Sequence, residues 1–193
     1  MKKDIILAGV GGQGILSIAA IIGLAALEKE LYVKQAEVHG MSQRGGAVQS
    51  HLRISSNQIA SDLIPLGEAD MILSVEPMES LRYMPYLSTD GWIITNSKPF
   101  INIFNYPDLN KLLTQIQNYK NTLVINADEI AAKNGSLKSS NVVLLGAASL
   151  YLEIPYVNLE NGIRTLFGRK GEDVVNKNLT ALKAGMESIL QIK

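Results

Sequence analysis

Residues 5–8 (Ile-Ile-Leu-Ala) form a short apolar run without alternation, the pattern of a parallel strand covered on both faces. Residues 13–30 are apolar on most sides and end in Glu28-Lys29-Glu30, which predicts a helix packed on a sheet. Residues 31–37 read as a second strand. In residues 47–54, Val48, Ser50, Leu52 and Ile54 alternate with Gln49, His51 and Arg53, as in a half-buried strand. Beyond the Ser55-Ser56-Asn57 turn, residues 58–64 predict a further strand, and the two together a hairpin. Residues 71–75, 92–95 and 123–125 are short strands. Pro77 suits the first turn of a helix over 79–86, and Asp108 caps a helix that runs through Asn118. A short helix over 128–133 is broken by Asn134-Gly135-Ser136, and residues 96–107 are the least regular part of the chain. Residues 141–152 are apolar with the small group Gly146, Ala147, Ala148 and Ser149, which predicts a helix buried among helices. Helices over 158–167 and 172–191 follow, the last with Val175, Leu179, Leu182, Met186, Ile189 and Leu190 at helical spacing. The order predicts an α/β protein: a single Rossmann-like, open, mostly parallel sheet flanked by helices, with a helical C-terminal part, forming one domain over residues 1–193.

Composition narrows the chemistry. The 193 residues include 47% hydrophobic and 19% charged side chains, with a net charge of +0. That balance offers no global attraction for nucleic acid or an anionic membrane. The chain has no cysteine, which excludes disulfides, thiolate catalysis and cysteine-ligated clusters within it. Residues 15–27 are too short to span a bilayer, and Asp4 and the following glycines do not fit a signal peptide, so a cytoplasmic protein is expected. Neither H-E-x-x-H, nor clustered metal ligands, nor G-x-S-x-G occurs, so no metal site is expected.

Two stretches carry the candidate chemistry. Gly9-Val10-Gly11-Gly12-Gln13-Gly14 fits G-x-G-x-x-G between a strand and a helix. There glycines let the backbone approach a bound group, and the helix N-terminus offers free N–H donors. Glu37 lies about 20 residues on, where a dinucleotide fold places its ribose-binding acid. That reading gives a stand-alone NAD-binding dehydrogenase, and the alternative is that the glycines only permit tight strand–helix packing. The second stretch is His39-Gly40-Met41-Ser42-Gln43-Arg44-Gly45-Gly46. Arg44, beside a Gly-Gly pair, is suited to grip a phosphate or carboxylate with two hydrogen bonds, and His39 can donate another. A non-catalytic module that binds an anion or nucleotide through these loops is a further reading. Glu76, at the end of the strand over 71–75, could reach the site or cap the next helix. His51 reads as structural.

The combination of Gly-Gly-Gln-Gly, Glu-Val-His-Gly-Met-Ser-Gln-Arg-Gly-Gly and Ser50-His51-Leu52-Arg53 resembles the gamma-type domain of 2-oxoacid:ferredoxin oxidoreductases. Ile64-Pro65-Leu66-Gly67-Glu68-Ala69-Asp70, Glu76-Pro77-Met78-Glu79-Ser80-Leu81-Arg82, Asn141-Val142-Val143-Leu144-Leu145-Gly146-Ala147 and Leu182-Lys183-Ala184-Gly185 stay in register, so the resemblance covers about residues 4–190. The His-Gly-Met-Ser-Gln-Arg-Gly-Gly loop is its most specific part and points to the beta subunits of the indolepyruvate branch. The resemblance implies oxidative decarboxylation of a 2-oxo acid, an aryl pyruvate in that branch, to an acyl-CoA with electrons passed to ferredoxin. It implies thiamine diphosphate and [4Fe-4S] clusters on a large alpha subunit, with coenzyme A at the subunit interface and no cofactor held tightly by this chain alone. The implied binding residues are Gly9, Gly11, Gly12, Gln13, Gly14, His39, Gly40, Met41, Ser42, Gln43, Arg44, Gly45, Gly46 and Glu76, with no catalytic residue assigned.

On this reading Arg44→Ala leaves the fold intact and weakens use of coenzyme A. Steady-state kinetics of the complete enzyme check it: an unchanged apparent affinity for coenzyme A together with unchanged turnover would refute the role of Arg44.

Overall fold

The computed structural model describes residues 1–39, 45–101 and 103–191. Six strands form one sheet in the order β2-β3-β1-β4-β5-β6. The strands are β1 (Lys2–Val10), β2 (Tyr32–His39), β3 (Ala47–Ser55), β4 (Ala69–Ser74), β5 (Leu87–Asn96) and β6 (Thr122–Ile125). The helices are α1 (Ile15–Leu27), α2 (Pro77–Arg82), α3 (Leu109–Gln117), α4 (Ala127–Lys133), α5 (Ser140–Ala148), α6 (Tyr156–Phe167) and α7 (Glu172–Leu190). Strands β1, β4, β5 and β6 pair in parallel, while β3 runs antiparallel to both β1 and β2. The sheet is therefore mixed, with three parallel pairings and two antiparallel ones.

The unbroken apolar run in β1 reflects two covered faces. Ile5 and Leu7 point into the main core with α1, α5, α6 and α7, whereas Ile6 and Ala8 face a second core with Ile64, Ile72 and Tyr83. A third cluster places Ile93 of β5 on Leu112 and Ile116 of α3. Asp108 caps α3 as expected, accepting from the Lys111 amide at 2.9 Å.

Two expectations are corrected. The hairpin forms between β2 and β3, with Tyr32 opposite Ser55 and Glu37 opposite Ser50, and not between residues 47–54 and 58–64. Polarity explains the order. Strand β2 carries Lys34, Gln35 and Glu37, all exposed, which suits an edge, while β3 supplies Val48, Leu52 and Ile54 to the core beside β1. Residues 58–64 are not a strand, because side chains of the sheet take up their backbone groups. The Arg53 guanidinium donates to the carbonyls of Ser61 and Leu63 at 3.1 and 2.9 Å, and Lys34 donates to Ala60 at 3.0 Å. The Ile64 amide donates to Nδ1 of the buried His51 at 3.0 Å, so His51 is a structural residue here. Arg53 also grips the buried Asp4 with two hydrogen bonds of 2.8 and 3.0 Å.

The helical layer rests on backbone-to-backbone contact. A β-carbon at Gly146 of α5 would collide with the Leu182 carbonyl of α7, and one at Gly185 of α7 with the Val143 carbonyl of α5. Ser139, at the start of α5, meets Asn178, well inside α7, at 3.4 Å. Gly162 of α6 makes a similar close approach to the Ile21 carbonyl of α1.

Gly146→Ala and Gly185→Ala should each cost at least about 2 kcal/mol by overpacking. For a chain of this size that is a fall in melting temperature of about 4–8 °C. Thermal unfolding checks it, and a shift below about 1 °C for both variants would contradict the close approach.

Candidate functional site

The chain connection reverses between β1 and β4. From β1 it runs to β2 and β3 on one side, and from β4 to β5 and β6 on the other. Such a switch point opens a crevice at the carboxyl ends of the strands, where α/β proteins bind ligands. The glycine turn lies there. Gly9 sits against Val75, where a β-carbon would overlap the valine side chain. Gly12 and Gly14 take φ of 100° and 79°, a conformation that favours glycine. Gln13 closes the turn, its amide oxygen accepting from the Val10 N–H at 2.8 Å and its own N–H donating to the Val10 carbonyl at 3.1 Å. Gln13 is thereby a lock for the turn.

The structure joins the two sequence stretches. The Gly11 N–H donates to the Gly46 carbonyl at 2.8 Å, and the Gly45 N–H to the Gly11 carbonyl at 3.4 Å. The base of the second loop is therefore stitched to the glycine turn. Gly40, Met41, Ser42, Gln43 and Arg44, and the side chain of His39, lie outside the described residues. Glu37 does not meet the glycine turn, because β3 separates its strand from β1 and its side chain is exposed on the edge. Its placement removes the ribose-binding role that the dehydrogenase reading required.

Three helices begin around one cleft of about 640 Å³. Gly14 and Ser17 come from the start of α1, Ser139 and Asn141 from the start of α5, and Asp173 and Val174 from the start of α7. The Asn141 side-chain amide donates to the Gly14 carbonyl at 3.1 Å, which ties α5 to α1. Each helix start contributes N–H groups without helical acceptors and partial positive charge. Lys138 and Lys170 line the same cleft. Among the described residues Lys138 makes no ion pair, and the Lys170 ammonium stands 5.3 Å from the Phe167 ring centre. Lys177 is neutralised by Asp173 at 2.7 Å. A second cleft of about 450 Å³ shares Gly12, Gln13, Leu137 and Lys138, and adds Lys98, Phe100, Asn96 and Asp128. Together these features suit this edge to an anion, on a chain of zero net charge.

Glu76 is fully buried below this edge. Its carboxylate caps α2 by accepting from the Glu79 amide at 2.9 Å, and it also accepts from the Tyr106 hydroxyl and, at 3.4 Å, from the Phe100 amide. It is an internal anchor and lines neither cleft. Lys98, Lys138, Lys170 and Asn141 were not singled out as site residues from the sequence. The signal available was the polar run Lys138-Ser139-Ser140-Asn141 directly before an apolar helix, which marks a helix start exposed to solvent. Among the described residues no group of histidines and carboxylates could hold a metal ion, and no helix is long and apolar enough to cross a membrane.

A family model described as pyruvate ferredoxin/flavodoxin oxidoreductase matches residues 4–188. Indolepyruvate oxidoreductase subunit IorB of Archaeoglobus fulgidus is 37% identical over 194 residues, covering 96% of this chain and 94% of the relative. The subunit of the same name from Pyrococcus horikoshii is 39% identical over 156 residues, 76% of this chain and 77% of the relative. Pyruvate oxidoreductase subunit PORC of Thermotoga maritima, 22% identical, superposes with a TM-score of 0.74 over 96% of both chains. A 2-oxoglutarate:ferredoxin oxidoreductase from Magnetococcus marinus, solved with 2-oxoglutarate, coenzyme A and succinyl-CoA bound, superposes with a TM-score of 0.76 at 23% identity. The match covers 96% of this chain but 30% of that one. These two structures share the fold.

Burial raises the Glu76 carboxyl above its ordinary 4.5, against the opposing hydrogen bonds from Tyr106, Glu79 and Phe100. The folded protein then holds that proton more tightly than the unfolded chain. The resulting stability is fully present below the unfolded value and is lost as pH rises through the folded one. Wild type should therefore gain stability over Glu76→Gln as pH falls from 7 toward 4.5. Urea denaturation of both proteins at the two pH values checks it, and a constant difference would contradict it.

Proposed function

The chain belongs to the pyruvate ferredoxin/flavodoxin oxidoreductase family, and we propose that it is the small subunit of an indolepyruvate:ferredoxin oxidoreductase in the cytoplasm. In this reading residues 1–193 form a single gamma-type domain. An aryl 2-oxo acid loses its carboxylate as carbon dioxide, its acyl group passes to the sulfur of coenzyme A, and the electrons released reach ferredoxin. A large partner subunit carries the thiamine diphosphate, which supplies the carbanion chemistry, and the iron–sulfur clusters. Sequence similarity to subunits named indolepyruvate oxidoreductase supports the substrate class.

The cofactors divide according to what each chain can ligate. A chain with no cysteine has no thiolates for an iron–sulfur cluster. Coenzyme A fits the residues present, because its diphosphate and ribose phosphate are anions and the cleft gathers three helix starts with Lys138 and Lys170. That convergence is the observation that carries the reading. Lys138, shared by both clefts, would hold a phosphate through a charged hydrogen bond. The glycine turn would let the ligand approach the backbone. Arg44 and Ser42, from the stretch whose described base is stitched to Gly11, are proposed as further donors to its phosphates. The chain binds and orients coenzyme A at the interface, and the bond-making steps belong to the partner's cofactor.

Lys138→Met in the complete enzyme should raise the apparent KM for coenzyme A about 10-fold, the loss of roughly 1.4 kcal/mol expected for one charged hydrogen bond. The KM for the 2-oxo acid and kcat should change less than about twofold, since the interaction is uniform along the reaction. Steady-state dye reduction measures all three, and an unchanged KM for coenzyme A would remove Lys138 from the site.

A further inference from the structure

Between β5 and α3 the chain displays large apolar side chains to solvent. Phe104 is completely exposed, Ile101 is 70% exposed, and Phe100 and Ile103 are nearly half exposed. Leu137, 74% exposed, lines the same cleft as Phe100. Contiguous apolar surface bordered by charge marks an interaction site on a soluble protein. Here the charged groups of the cleft are Lys98, Lys138 and Asp128.

The loop is held in this position from beneath. The Phe100 amide at one end and the Tyr106 hydroxyl at the other both donate to Oε1 of Glu76. Glu76 is itself fixed at the start of α2 by the Glu79 amide. A fully buried carboxylate is costly, and this one spends its remaining hydrogen bonds on fastening the loop. The same anchor sits at the switch point, so the loop stands directly over the anion-binding edge.

We infer that Phe100, Ile101, Ile103 and Phe104, presented by Glu76 and joined by Leu137, are the docking surface for the large subunit that carries the redox centres. The inference rests on the function proposed above and adds to it where the two chains meet. The occupant follows from the chemistry. The chain lacks cysteine, so the electron-carrying centres lie on another chain, and that chain must reach a ligand held at this edge. A second copy of this chain seated here would close the cleft to the redox partner. In the solved Magnetococcus relative the shared fold is 30% of a longer chain, so other parts of that chain are available to cover such a face. The partner is expected to offer an apolar pocket to these side chains. Glu76 is a positioning residue for this contact.

The test is anaerobic affinity purification of the tagged chain from its native cells, with the recovered large subunit quantified against the bait. Wild type should recover it in stoichiometric amount. The double variant Ile101→Asp, Phe104→Asp should keep the wild-type melting temperature, since both side chains are exposed, and recover at least 10-fold less. Leu27→Asp, at the far end of α1 and also exposed, should recover as wild type does. Tyr106→Phe, which cuts one tie to Glu76 without touching the α2 cap, should lower recovery severalfold. Full recovery by the double variant overturns the inference while leaving the proposed function standing. A dimer of the isolated chain that the double variant abolishes, with partner recovery intact, overturns it as well. A wild-type chain that recovers no large subunit at all overturns the proposed function itself.

Discussion

The geometry of the carboxyl edge depends on how closely the backbone approaches itself. Gly146 and Gly185 let α5 and α7 touch main chain to main chain, and Gly9 lets the glycine turn press against Val75. With these contacts in place, the starts of α1, α5 and α7 fall around one cleft. Side chains at those glycines would push the helices apart and disperse the three partial charges. Packing in the core and electrostatics at the site are therefore one constraint, expressed at two ends of the same helices.

The result is local positive potential on a chain with as many acidic as basic residues. Several lysines elsewhere are tied up: Lys2 with Asp4, Lys3 with Glu153, Lys120 with Asp90, Lys133 with Glu129. Among the described residues Lys98 and Lys138 make no ion pair, and both line the edge. Such a cleft is suited to hold and orient an anion.

Much of this was legible in the sequence wherever the signal was local. The strand–glycine–helix sequence at residues 5–27, the Asp108 cap, the small residues of α5 and the apolar spacing of α7 each follow from one segment and its period. The failures were non-local. The order of β2 and β3 depends on which strand tolerates an edge, and the exposed Lys34, Gln35 and Glu37 carried that information without being used for it. Residues 58–64 look like a strand until Arg53 and Lys34 claim their carbonyls from another part of the chain. The lysines of the cleft escaped notice because a solvated lysine and a ligand-binding one look alike in sequence, and only the convergence of α1, α5 and α7 separates them. Of the two roles its position allowed for, Glu76 takes the cap and lines neither cleft; it bears on the site only through the loop it anchors.

The central claim is that this chain acts only as part of a pair. The most direct measurement is anaerobic, coenzyme A-dependent reduction of a one-electron dye by an aryl pyruvate, made with the chain alone, with its large partner alone and with the two combined. The account predicts turnover in the combined sample and none in either part. Turnover by the isolated chain, with NAD or with the dye, would contradict it.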